Sequence, residues 1–442
     1  MQHDRLLSRL ALAGALTLTA GAGAAQAVEI SFFRFFGECQ AEYGSVNTAA
    51  EANGECGIIT ALANQFAAEN TLGATVATQI VDWGAYYDLL TATYSTGSIP
   101  DVAVMHGSVL PNFAERGLLM PLGPVFAEAG IDTADFVPAA LANATSGGEV
   151  YALPYDLHAL LWHVNMDLMA EAGLVNPDGT PILPTSPEEL IAQGRQFKER
   201  TGKFYLASES QAAEGMMVRF WQSLMWQQGV DVLSADGKTA SIDTPEGLTA
   251  ADLVKAMYDE GLVNPALDYA GAEQAFLNGE AGIIMNGTWV VDSYDTQARS
   301  GEAALKNYRV ANLPTLFGTP AVWADSHMWV IPADPSRSPE ETAAAVAFIK
   351  FLNDNSFQWS RTGHLSVRQS VIDSPEFASL PHRTEYAETA TRARALPPAQ
   401  NQRAIFNAMF TDFNAIWLTG TEPADALAAM QASVEQILRR NR

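Results

Sequence analysis

Positive charge is scarce in this chain, with 25 Lys and Arg against 50 Asp and Glu and a formal net charge of −25. A surface that acidic repels polyphosphate and anionic headgroups, which argues against nucleic acid and membrane surfaces as partners. Long apolar runs are also lacking. Beyond the first residues none approaches the roughly 18 needed to span a bilayer, so the mature chain is expected to be soluble. Catalytic signatures are missing too: there is no Gly-x-Ser-x-Gly elbow, no His-Glu-x-x-His and no Gly-x-x-x-x-Gly-Lys phosphate loop. The histidines after the leader (His106, His158, His163, His327, His364 and His382) show no metal-ligand spacing, so no metal and no cofactor are expected. Carboxylates are too many for a glycosidase pair to be singled out. These absences count against an enzyme.

Cysteine is almost absent, but the two present are informative. Residues 1–27 read as an export signal: Arg5 and Arg9 flank the short apolar stretch 10–20, and Ala25-Gln26-Ala27 is a small-residue cleavage site. Cleavage after Ala27 would leave Val28 first and place the protein in the periplasm. Cys39 lies well past that site, so lipid attachment next to it is not available. In an oxidising compartment Cys39 and Cys56 are expected to pair, closing a short polar loop worth about 3 kcal/mol in the chain-entropy model. A redox-catalytic role would need closer cysteines.

The remaining length suits two or three domains, and two lobes are expected. Residues 29–36 (EISFFRFF) read as a first strand, 58–69 as a helix burying Ile58, Ile59, Leu62 and Phe66, 75–81 as a strand, 86–94 as a helix closed by Gly97, and 100–105 as a buried strand. This alternation predicts an α/β fold with largely parallel sheet. Helix starts with capping boxes are expected at Ser186-Pro187-Glu188-Glu189 and Ser338-Pro339-Glu340-Glu341, and a weaker one at Thr244-Pro245-Glu246. Further strands are expected at 281–285, 308–313 and 328–331, and mostly helix from Arg383 to the end with a break at Pro397-Pro398. No linker is visible, which suggests several crossings between lobes.

Aromatics beside polar, turn-prone positions stand out: Trp83 with Tyr86 and Tyr87, Trp162, Trp221, Trp289 and Trp323. Sugars expose apolar C–H faces and a ring of hydroxyls, so stacking aromatics beside fixed polar groups suit a sugar site. For any single tryptophan, core is the commoner reading.

Several strings in order then resemble the family 1 extracellular solute-binding proteins of ABC importers. They are Trp83-x-x-Tyr86-Tyr87-x-Leu89-Leu90, Gly97-Ser98-Ile99-Pro100-Asp101-Val102, Tyr151-Ala152-Leu153-Pro154 with Trp162-His163-Val164-Asn165 and Gly173, Ala275-Phe276 with Gly279-Glu280-Ala281-Gly282-Ile283, Asn286-Gly287-Thr288-Trp289, and Leu313-Pro314-Thr315. The resemblance implies a type II, maltose-binding-protein-like α/β fold of two lobes, with crossovers near 156–160, 324–329 and 374–381. Lobe one would comprise 28–157 and 328–376, lobe two 158–327 and 377–442. It implies a monomer that closes on a small carbohydrate and delivers it to permease subunits. A secreted glycan-active enzyme and an adhesion module are the competing classes, and polyols and sugar or glycerol phosphates are competing ligands.

Site residues carried over from the resemblance are Glu38 after the first strand, either a contact or merely solvated; Trp83; and His106 and Ser108 after the Pro100-Asp101 strand. Met105 stands where maltose-binding members stack an aromatic. Asp156 and His158 follow Pro154, with His158 where those members use a carboxylate. Trp289 matches the family's stacking tryptophan, and Phe406 aligns loosely with a second. Arg403 suits a carboxylate or phosphate, and Arg219, Trp323, Asp325 and His327 complete the set.

Overall fold

The structure is a computed structural model describing residues 28–211, 215–397 and 399–440. The expected leader, residues 1–27, lies outside the described residues, as does Pro398 of the expected Pro-Pro break. Two sheets, each with its own hydrophobic core, make two lobes. In the first, Glu29–Arg34 runs parallel to Thr75–Ile80 and Val102–His106, and His327–Val330 pairs antiparallel with Val102–His106 and Ala152–Pro154. The second is built on Asp156–Asn165, whose ten residues pair with Ala281–Gly287, Tyr308–Asn312, Val322–Asp325 and Leu365–Ser366. Neighbours on so many sides explain why DLHALLWHVN is buried almost throughout, its four polar residues included: a strand covered on both faces has no solvent side to alternate toward.

The chain passes between the sheets at single residues. Tyr155 separates Ala152–Pro154 from Asp156–Asn165, and Ser326 separates Val322–Asp325 from His327–Val330. Farther on, Ser370 still bonds Asp135 of the first lobe, while Glu385 Oε2 accepts Val310 N–H of the second at 2.8 Å.

Several local expectations shift. The first strand stops at Arg34 because Phe36 takes a left-handed φ of 73° and turns the chain. The next helix starts at Gly54, one turn before the apolar face begins, and the following one spans Trp83–Thr96, capped by Asp82 and ended by left-handed Gly97. A full capping box forms at Ser338 only. At Ser186 the side chain caps Glu189 N–H, but Glu189 turns to the backbone and hydroxyl of Thr185 instead. Thr244 caps Gly247. The stretch from Arg383 to Asn401 is mostly turns around one short helix, Thr389–Arg392, and the long helices Gln402–Leu418 and Pro423–Arg440 come after it. Trp162 and Trp221 are fully buried in the second lobe's core, away from solvent. Tyr86 is buried in the first, its hydroxyl shared between Phe33 and Val104 carbonyls.

In the second lobe His382 lies between Glu385 (Nδ1–Oε2, 3.1 Å) and Asp295 (Nε2–Oδ1, 3.2 Å). Burial alone would push the imidazole down, but the two carboxylates outweigh it and hold its pKa up at about 9. A raised folded-state pKa stabilises fully below the unfolded value near 6.5, and the gain is lost as pH rises through about 9. Urea unfolding should therefore show stability falling by roughly 2 kcal/mol between pH 6 and 10, and His382→Gln should flatten that slope.

Candidate functional site

Between the lobes lies a cleft of about 940 Å³. The C-terminal ends of the parallel strands Glu29–Arg34 and Val102–His106 open onto it, the usual place for ligands in open α/β sheets. From the first lobe it receives Gly37 and Glu38, the Cys39–Cys56 disulfide, Trp83 and His106. From the second it receives Arg219, Tyr269, Glu273, Trp289 and Trp323, and from the crossings His158 and His327.

Its floor is a run of imidazoles. His158 stacks on His327 at 4.2 Å between centroids, His106 meets His327 edge-on at 4.8 Å, and Phe35 stacks on His106 at 5.2 Å. Below them is Asp156, 1% exposed. Its Oδ1 accepts His327 N–H at 2.9 Å and faces His158 Nδ1 at 3.3 Å, while its Oδ2 accepts Trp359 Nε1–H at 2.6 Å and faces His327 Nδ1 at 2.8 Å. Burial alone would raise this carboxyl. The fields of His327 and His364 and the bonds from His158 and His327 outweigh it and hold it well below the usual carboxylate range. His106 is pushed well down, first by burial and then by His327 and His158, and is neutral. The Tyr87 hydroxyl accepts His106 N–H at 2.8 Å and shares a hydrogen bond with His106 Nδ1 at 2.6 Å, which fixes the ring.

Trp289 follows the strand Ala281–Gly287 and is half-buried. Its Nε1–H donates to Tyr269 at 2.8 Å, and Tyr269 donates to Asn286, which Tyr294 and Glu273 hold in turn. Gly287 makes room for the indole, since a Cβ there would fall 1.9 Å from it.

The other end of the cleft carries the arginines. Arg219 lies over Trp323 at 4.3 Å and near Phe406 at 5.1 Å, and Arg403 of the second lobe covers Trp83 of the first at 3.9 Å. Such cation–π contacts help fix a planar charge. Ser108 and Asp325 bind each other (Oγ to Oδ2, 2.5 Å; N to Oδ1, 3.2 Å) beside a small cavity next to the main cleft. Glu38 is exposed at the rim, where it accepts Gln40 N–H. Across the mouth Gly54 N–H donates to Asp292 at 2.6 Å, tying the lobes together.

The structure thus gathers Glu38, Trp83, His106, His158, Arg219, Trp289, Trp323 and His327 around one cleft, places Ser108, Asp325, Arg403 and Phe406 around the adjoining cavity, and puts Asp156 underneath. Residues not singled out are His364, Trp359, Glu55, Tyr269 and Glu273. The helical spacing of Tyr269 and Glu273 was the one local signal for any of them. Asp156, His158, His327 and His364 also come together as a set able to hold a metal ion, one donor atom from each lying within 4.8 Å of the others.

A hinged, two-lobed binding protein is the class that this fold and cleft define. The chain belongs to the bacterial extracellular solute-binding proteins, whose family model matches residues 61–385. A family of extracellular binders places the chain outside the cytoplasm, and its members are binding proteins and not enzymes. The chain is similar to a binding protein of Brucella abortus (strain 2308), 26% identical over 85% of this chain and 88% of that one. It is also similar to a maltotriose-binding protein of Pyrococcus abyssi (strain GE5 / Orsay), 22% identical over 78% and 71%. Among solved structures, the GacH receptor of Streptomyces glaucescens GLA.O superposes with a TM-score of 0.77 at 20% identity, covering 94% of this chain and 99% of that one. A maltose-bound protein of T. maritima gives 0.77 at 20%, covering 93% and 100%. Among the described residues no helix is long and apolar enough to cross a membrane.

The disulfide closes a loop of 17 residues with Cα atoms 6.0 Å apart, and both cysteines line the cleft. Replacing both by serine should lower the unfolding free energy in urea by about 3 kcal/mol.

Proposed function

We propose that this chain captures a carbohydrate in the interlobe cleft and hands it to the membrane subunits of an ABC importer. The observation that carries the reading is the state of Trp289. Its indole N–H is already committed to Tyr269, so the ring face is what it has left to offer. A flat apolar face without a free donor suits the C–H face of a sugar ring, and the hydroxyls around that ring then find fixed polar groups in His106, His158, Glu273 and Arg219. Trp83 and Trp323 supply further ring faces. The sugars named for relatives, maltotriose, maltose and acarbose, support the same class.

On this reading lobe one is 28–157 with 328–376 and lobe two the rest of the mature chain, which works as a periplasmic monomer after cleavage at Ala27. A ligand that touches both lobes only when they are closed shifts the population toward the closed shape, and no covalent step is needed. Incubation with labelled oligosaccharides should therefore return them intact.

A thermal-shift screen of mono- and oligosaccharides, with polyols and anionic sugars as separate arms, should find stabilising ligands among the sugars, since a ligand at about 100 times its Kd adds roughly 2.7 kcal/mol. Trp289→Ala should weaken the best of them by about 2 kcal/mol, roughly thirtyfold, with little change in the unliganded melting temperature. Gly287→Ala should weaken it too by displacing the same ring. A screen in which no sugar stabilises the protein, or in which Trp289→Ala binds as tightly as wild type, overturns the proposal.

A further inference from the structure

Beyond the sugar reading, the buried donors in and under the cleft floor form a cluster of their own. Two crossings supply three of them: Asp156 and His158 open the strand Asp156–Asn165, His327 opens His327–Val330, and the fourth, His364, directly precedes Leu365–Ser366. From Asp156 Oδ1 it is 3.3 Å to His158 Nδ1, and from Oδ2 it is 2.8 Å to His327 Nδ1 and 3.6 Å to His364 Nε2, with one donor atom of each residue within 4.8 Å of the others. Ligands about 2.0–2.1 Å from a tetrahedral zinc ion stand roughly 3.3 Å apart, so the Asp156 contacts lie near that spacing and the wider pairs must draw in when the ion binds.

His364 gives the independent sign. Thr362 Oγ1 donates to the Trp359 carbonyl at 2.7 Å, which uses its single proton. The 2.7 Å contact between Thr362 Oγ1 and His364 Nδ1 must then be donated by the imidazole. Nε2 is left as a lone pair. It is fully buried, it has no hydrogen-bond partner, and it faces the carboxylate oxygens of Asp156 at 3.6 Å and Glu55 at 3.4 Å. A lone pair turned toward two carboxylates, one of them fully buried, is repulsive unless a cation or a shared proton sits among them. The surroundings are those of a metal site. His364 is oriented by its other ring N–H, and Asp156 is held by Trp359 Nε1–H and His327 N–H.

We propose that Asp156, His158, His327 and His364 form a closed site for one divalent ion of the zinc class, which staples the first two crossings to the segment before Leu365–Ser366. Three imidazoles and one carboxylate suit zinc or its neighbours and not calcium or magnesium, which prefer all-oxygen shells. Four protein donors leave no open position, so the ion holds structure.

The test uses the untagged full mature chain, stripped with chelator, dialysed against zinc without any sugar, and analysed for bound metal. About one zinc per chain is expected, with at least about tenfold weaker binding in Asp156→Asn and in His364→Gln. Cobalt(II) added to the stripped wild type should give the strong visible absorption of a tetrahedral site, a readout that stands even if a variant misfolds. Wild type that takes up no zinc, cobalt that shows no tetrahedral spectrum, or folded variants that bind zinc as wild type does would overturn the proposal and leave a proton shared by Glu55 and His364 as the explanation. Because no sugar is present, this result is independent of the ligand screen.

Discussion

A carboxylate buried where the chain passes between two lobes constrains everything around it. Asp156 cannot keep its charge in a low-dielectric interior unless its lone pairs are met, and leaving it alone would cost several kcal/mol. The partners that meet it come from far apart in sequence: His327 lies 171 residues away and Trp359 lies 203 away. Satisfying one side chain therefore fixes the start of the central strand of the second sheet, the start of a strand of the first, and the short helix Ser356–Ser360. The imidazole floor of the cleft follows from the same requirement, because His158 and His327 are held by the groups that neutralise the burial.

Much of the fold was legible in the residues. Strands without a solvent side read as unbroken apolar runs, as in ALLWHVN and AGIIMNG, and cap residues marked helix starts at Ser186, Thr244 and Ser338. What failed was local geometry decided by neighbours. The turn at Phe36 interrupts a run of good strand formers, and Glu189 prefers Thr185 to closing its own box.

The site was legible where its residues follow strand ends, since the order of elements carries His106, His158 and Trp289 to one opening. Asn286-Gly287-Thr288-Trp289 was readable because only glycine lets the indole lie against the backbone there. Trp162 and Trp221 misled because a tryptophan beside polar neighbours looks the same in sequence whether its ring faces a cleft or a core. His364, Trp359 and Glu55 were invisible for a different reason. Trp359 and His364 meet Asp156, and Glu55 faces His364, at separations no local period can encode.

The contacts that span the mouth, Arg403 upon Trp83 and the Gly54 amide upon Asp292, involve no solute at all. They bias the halves toward one another before anything arrives, so part of the work of shutting is done by the protein itself. A guest released from such a jaw must wait for these bonds to part. Residence time then reflects the strength of the protein's own clasp as well as the fit of the sugar, and a guest of modest fit is held longer than its own contacts would give.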